Sequence, residues 1–177
     1  MALYFIAILP PQDLQNRIQV IKNEASKEYE SIKSLNSPPH ITIIPPFSFS
    51  DEKLLFNFFE SISIYMPKLE IKLLNFGVFA KRTLYIKLEK NTKLDSLHGD
   101  VEQLFYELEG VKQAKNSFHV FTPHITLLNR DITEEQFNRA WEKFRKTSFQ
   151  ARFMVSELVL LKHEGKKWNI VTSISLC

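Results

Sequence analysis

The sequence predicts an α+β fold of two similar lobes, each an antiparallel sheet with its helices outside, and a cleft between them. Three observations carry this. The string Pro39-His40-Ile41-Thr42 recurs as Pro123-His124-Ile125-Thr126, its histidines 84 positions apart in a chain of 177 residues. The segments around the copies repeat one order of strand, helix, His-bearing strand, helix and hairpin. No linker or low-complexity stretch separates the halves, so residues 1–177 read as one domain with internal repeats at about 1–83 and 84–177. A pseudo-two-fold axis is expected between them. Neither repeat needs to fold alone at that size, and a shared core is expected.

The elements follow in order. Leu3-Tyr4-Phe5-Ile6-Ala7-Ile8 opens the first repeat and Leu84-Tyr85-Ile86-Lys87-Leu88 the second, both strands by their β-branched and aromatic content. After Pro11, Leu14, Ile18, Ile21, Ala25 and Tyr29 recur at helical spacing; Leu94, Leu97, Val101, Leu104, Phe105 and Leu108 do so in the second repeat. The His-bearing strands come next. Ser50-Asp51 caps a helix with an apolar face of Leu54, Leu55, Phe58, Phe59 and Ile62. Thr133 with Gln136 forms a capping-box pattern ahead of Phe137, Ala140, Trp141 and Phe144. Strand regions Leu69–Val78 and Ala151–Lys162 then turn, at Lys81-Arg82 and at Glu164-Gly165-Lys166-Lys167, into Thr83–Leu88 and Trp168–Leu176. Pro45-Pro46-Phe47-Ser48-Phe49 reads as a stiff turn leaving the first His-bearing strand.

Composition bounds the function. The net charge is +3, and basic and acidic residues are spread through both halves. That permits an anionic ligand but lacks the dense basic stripe of a sequence-independent nucleic-acid binder. The 15 phenylalanines are read chiefly as core filling. One cysteine, Cys177, allows neither an internal disulfide nor a thiolate zinc site, so a reducing compartment is expected. The apolar start lacks a positively charged region and is ended by Pro10 and Pro11; it reads as a buried strand. With no run as long as a membrane helix, a cytoplasmic protein without membrane contact, and a monomer, is expected.

In a strand, residues i and i+2 share a face. His40 and Thr42 therefore project together, while Ile41 and Ile43 face the core. His124 and Thr126 repeat this with Ile125 and Leu127. Two such pairs in one cleft suit phosphoryl transfer without a metal. One neutral imidazole takes a proton, one imidazolium gives a proton, and the hydroxyls hydrogen-bond the non-bridging phosphate oxygens. A single His-x-Thr is more often structural; two copies in matching contexts favour catalysis. A metal site is the competing chemistry, but no third ligand stands at a recognisable spacing, so no metal or cofactor is expected. His98, His119 and His163 are read as structural or surface residues.

Pro39-His40-Ile41-Thr42-Ile43, Phe121-Thr122-Pro123-His124-Ile125-Thr126-Leu127-Leu128 and the opening Leu3 to Pro11 resemble the 2H phosphoesterase superfamily, in particular its 2′-5′ RNA ligase-like branch. The likeness spans nearly the whole chain. It implies a bilobal fold and activity on 2′,3′-cyclic or 1″,2″-cyclic phosphates, or on 2′-5′ linked RNA ends. His40 and His124 become the acid–base pair, and Thr42 and Thr126 the phosphate contacts. Some members carry a basic residue two positions before the second motif histidine, where this chain has Thr122. Arg130, Arg82 or Lys81 are the candidates to neutralise the phosphate in its place. Phe47 is a candidate to stack on a base or close the cleft, with packing on the following helix as the competing reading. RNA ends or small cyclic-phosphate nucleotides are the expected substrates. Two other functions stay open: a module of the same fold that senses RNA ends or nucleotides with little turnover, and a metallohydrolase.

Overall fold

The computed structural model describes residues 1–62, 68–80, 82–111 and 120–176. These described residues form eight strands and four helices: β1 Ala2–Ile8, α1 Gln12–Tyr29, β2 Ile41–Phe49, α2 Glu52–Ser61, β3 Glu70–Phe79, β4 Thr83–Leu88, α3 Thr92–Glu107, β5 His124–Leu128, α4 Glu134–Phe144, β6 Gln150–Met154, β7 Glu157–Glu164 and β8 Lys167–Ser175. A 3-10 turn, Lys33–Asn36, lies between α1 and β2. Lys81, His119 and Cys177 lie outside the described residues.

The strands form two antiparallel four-stranded sheets, ordered β2-β1-β7-β8 and β5-β4-β3-β6. The orders correspond position by position, with each His-bearing strand at an edge beside its repeat's first strand. The sheets are not the sequence halves, however. β3 pairs with β4, while β7 and β8 return to β1, so each repeat sends its closing strand to the sheet begun by the other. The region expected as one strand, Ala151–Lys162, therefore breaks at Val155-Ser156 into β6 and β7, which belong to different sheets.

Helix packing crosses over as well: α3 lies against β2 and α1 against β5. Beside a second, smaller cluster of Phe5, Ala7, Val159 and Leu161, a main apolar core results, to which both sheets and all four helices contribute. Ile41, Ile43, Ile125 and Leu127 are buried in it, anchoring the two His-bearing strands from behind. The caps follow their chemistry. Asp51 accepts from the Leu54 N–H, and Thr133 with Gln136 makes the capping box. No described helix is long and apolar enough to cross a membrane.

Pro45 and Pro46 correct one expectation. They do not turn the chain; β2 runs through them to Phe49. Proline lacks the N–H a central strand needs, but β2 is an edge strand whose pairing with β1 is irregular between Tyr4 and Ala7. Both features remove the demand for that donor.

Candidate active site

His40 directly precedes β2, and His124 opens β5. Each ring is fixed in the same way. His40 Nδ1 lies 2.7 Å from the Pro38 carbonyl oxygen, and His124 Nδ1 lies 2.7 Å from that of Thr122. A carbonyl only accepts, so Nδ1 carries the proton in both rings and Nε2 keeps its lone pair. The proline before each histidine is part of this device. It holds its own φ and biases the residue before it to extended backbone, the residue whose carbonyl takes the Nδ1 proton.

β2 and β5 approach each other. His40, Thr42 and Thr126 line one cavity of about 180 Å³ with Phe5, Lys33, Ser34, Ser37, Pro46, Asn129 and Trp168. His124 is not among the lining residues, but its charge acts on His40. It sits beside the cavity among aromatic rings, with Phe79 edge-on at 4.8 Å and Tyr85 at 5.1 Å. His40 has the matching neighbour in Phe5, at 4.9 Å, which packs edge-on against Trp168 at 4.6 Å. Tyr85 lies across Gly77, where a Cβ would stand 2.8 Å from Tyr85 Cζ. Only glycine leaves room for the ring there.

The two imidazoles differ electrostatically. Burial pushes His40 down to about 4; the charges of Lys22 and His124 act in the same direction, and the Pro38 carbonyl opposes them. Burial also lowers His124, opposed by the Thr122 carbonyl. Both rings are therefore neutral at pH 7 in the unliganded site, and a bound phosphate anion would raise both.

Of the basic residues considered from the sequence, Lys81 lies outside the described residues. Arg130 is exposed in the turn after β5, and neither it nor Arg82, in the turn between β3 and β4, lines the cavity. Lys33 does. Its backbone N–H and that of Ile32 donate to one Asp131 oxygen at 2.9 and 2.8 Å, while Ser31 Oγ donates to the other at 2.7 Å. Asp131 follows β5, so the second His-bearing strand holds the turn that carries Lys33. Lys87 is the register partner of His124, on the same face of its sheet. Phe47 packs edge-on against Phe105 at 4.6 Å and lines a separate apolar cavity with Met1, Ile44 and Tyr106. Pro46 borders both cavities. His98 stacks on Phe121 at 3.9 Å and His163 packs against Trp168 at 4.9 Å, both packing roles.

Comparison with known proteins agrees with this architecture. The "Putative phosphoesterase" of Geobacillus kaustophilus is 31% identical over 172 residues, covering 94% of this chain and 92% of its own. A protein of the same name from Staphylococcus aureus is 23% identical and covers 97% of both. The crystal structure of Escherichia coli LigT complexed with 3′-AMP superposes with a TM-score of 0.69 at 17% identity, over 99% of this chain and 98% of that one. TT0787 of Thermus thermophilus also gives 0.69, at 16% identity over the same shares. The profile of the 2′-5′ RNA ligase superfamily matches residues 10–167, and with the fold and the duplicated motif this places the chain in that superfamily.

Proposed function

We propose that the chain is a phosphoesterase acting on 2′,3′-cyclic phosphates, 2′-5′ linked RNA ends or small cyclic nucleotides through acid–base catalysis by His40 and His124. The observation that carries this is the pair of imidazoles, each tied through Nδ1 to a carbonyl two residues earlier and each with a free Nε2, beside two threonine hydroxyls. In hydrolysis, His40 Nε2 takes a proton from water as its oxygen bonds to phosphorus. The bond from phosphorus to one ribose oxygen breaks, and His124, protonated on Nε2, gives that oxygen its proton. Thr42 and Thr126 donate to the non-bridging oxygens, and Lys33 and Lys87 offset the phosphate charge. Run in the same direction with a ribose hydroxyl in place of water as the attacking group, the same steps join RNA ends. The nucleotide in the LigT complex supports a substrate of this class.

The test is a panel of cyclic phosphates from mononucleotide to tRNA half, with and without chelator. Turnover of at least one member, unaffected by chelation, is expected. Tight product binding with no turnover anywhere on the panel would replace this reading with a sensing module.

A further inference from the structure

Lys22 is the only charged side chain buried among the described residues, at 1% exposure. It stands on the core-facing stripe of α1, with Leu14, Ile18, Ala25 and Tyr29, where periodicity calls for an apolar residue. Its Nζ donates to the Ser37 carbonyl at 3.0 Å, and no carboxylate pairs with it among the described residues. A lone buried charge is costly, and proteins retain such violations mainly at functional sites. The bond to Ser37 shows what this one reaches. Ser37 and Pro38 are consecutive, and the Pro38 carbonyl orients His40.

We propose that Lys22 is a positioning residue for the catalytic base: it clamps the segment leading into His40 and adds a fixed positive charge near the imidazole, reinforcing the effect of burial on its readiness to accept a proton. Among the described residues His124 has no buried cation of this kind, so the duplicated motif becomes unequal, with His40 the base and His124 the acid. The other groups facing His40 do not duplicate the effect. From the 3-10 turn comes Lys33, which is exposed, and from β5 comes His124, with Lys87 beyond it. β1 and β8 present Phe5 and Trp168, with His163 of β7 behind Trp168. Asp131 has both oxygens engaged by Ser31, Ile32 and Lys33. On α1 itself, Glu28 is paired with Lys143 of α4, roughly 9 Å along the helix from Lys22.

The catalytic half of this proposal rests on the acid–base reading above, so the test separates the two. Ring ¹⁵N titration of the substrate-free protein reads His40 directly, and the pH profile of kcat/KM reads its role. Lys22→Gln keeps a donor for Ser37 without the charge, Lys22→Met removes both, and Lys22→Arg keeps the charge. The His40 titration and the acid limb of kcat/KM should move up together by roughly half a pH unit in Lys22→Gln and Lys22→Met, and stay in place in Lys22→Arg. A purely structural role would lower the amplitude without moving the limb. An unmoved His40 titration in folded Lys22→Gln overturns the proposal, and movement of the alkaline limb instead overturns His40 as base. If neither uncharged variant folds, the wild-type ring decides: a His40 titrating at or above 6.5 is the contrary result. The ring titration needs no substrate, so it stands whether or not the protein proves to be a phosphoesterase.

Discussion

Replacing Lys22 with methionine keeps an unbranched side chain of similar length and removes a charge from the core. Burial lowers the lysine from 10.5 to about 8. At 1.36 kcal/mol per pH unit, holding it protonated inside the fold at pH 7 costs about 3 kcal/mol. Methionine escapes that cost and forfeits the bond to the Ser37 carbonyl, worth about 1 kcal/mol. The variant is therefore expected to be more stable than the wild type by about 2 kcal/mol at pH 7, a rise in Tm of roughly 5 °C. The sign with pH follows from a folded-state value below the unfolded one. Below about 8 the lysine is charged in both states and the full cost applies. Between about 8 and 10.5 the folded state has lost the proton that the unfolded chain still binds, so the wild type gains stability and the gap closes. Urea unfolding of both proteins across this range is the assay. A variant less stable than the wild type at pH 7, or a gap that does not narrow above pH 8, would refute the reasoning.

Three further outcomes are expected. Asp131→Ala leaves the Ile32 and Lys33 N–H groups without their acceptor and the buried Ser31 Oγ with only the Asn129 carbonyl at 3.5 Å, and should cost about 2 kcal/mol at pH 7. Burial pushes the Asp131 carboxyl up, but the Ser31 hydroxyl and the Lys33 and Ile32 N–H groups hold it below 3.8. Its contribution is thus present above 3.8 and lost as pH falls through the folded value, so unfolding at pH 7 and at pH 3 should show the variant's deficit shrinking in acid. Gly77→Ala puts a methyl group 2.8 Å from Tyr85 Cζ and should cost about 1 kcal/mol while lowering kcat/KM through His124. Adding Tyr85→Leu should restore the stability, as thermal melts would show. Finally, kcat/KM reports the free enzyme, where the base His40 lies near 4 and the acid His124 below 6.5. Its maximum should fall between pH 4 and 6.5, and a profile still rising at pH 7 contradicts the assignment.

Much of this site could be read from residue order alone. A period of two fixes which side chains share a face, so His40 with Thr42 and His124 with Thr126 follow once the strands are recognised, and buried Ile41 and Ile125 agree. The sheet partners could not be read in this way. β3 and β7 look alike as hairpin strands, and only tertiary pairing sends each to the sheet begun by the other repeat. Lys33 was hidden for a related reason: it is exposed, unremarkable in composition, and brought to the cavity by Asp131, 98 residues away. Lys22 did leave a signal. Counting 14, 18, 22, 25 and 29 places it on the buried stripe, but a lysine there conflicts with the apolar pattern, and Ile21, only partly buried, was the natural reading. The prolines of β2 misled because a turn and an irregular edge strand tolerate proline for the same lack of a donor.

The central claim is that two tethered imidazoles perform one proton relay. Its most direct test is hydrolysis of a 2′,3′-cyclic phosphate by the wild type, His40→Ala and His124→Ala, each confirmed folded. Loss of either ring should lower kcat by a factor of about 10²–10⁴. The double variant should lose little more than the worse single one, because the two act as a unit. Activity that survives either substitution within a few-fold of the wild type would contradict the account.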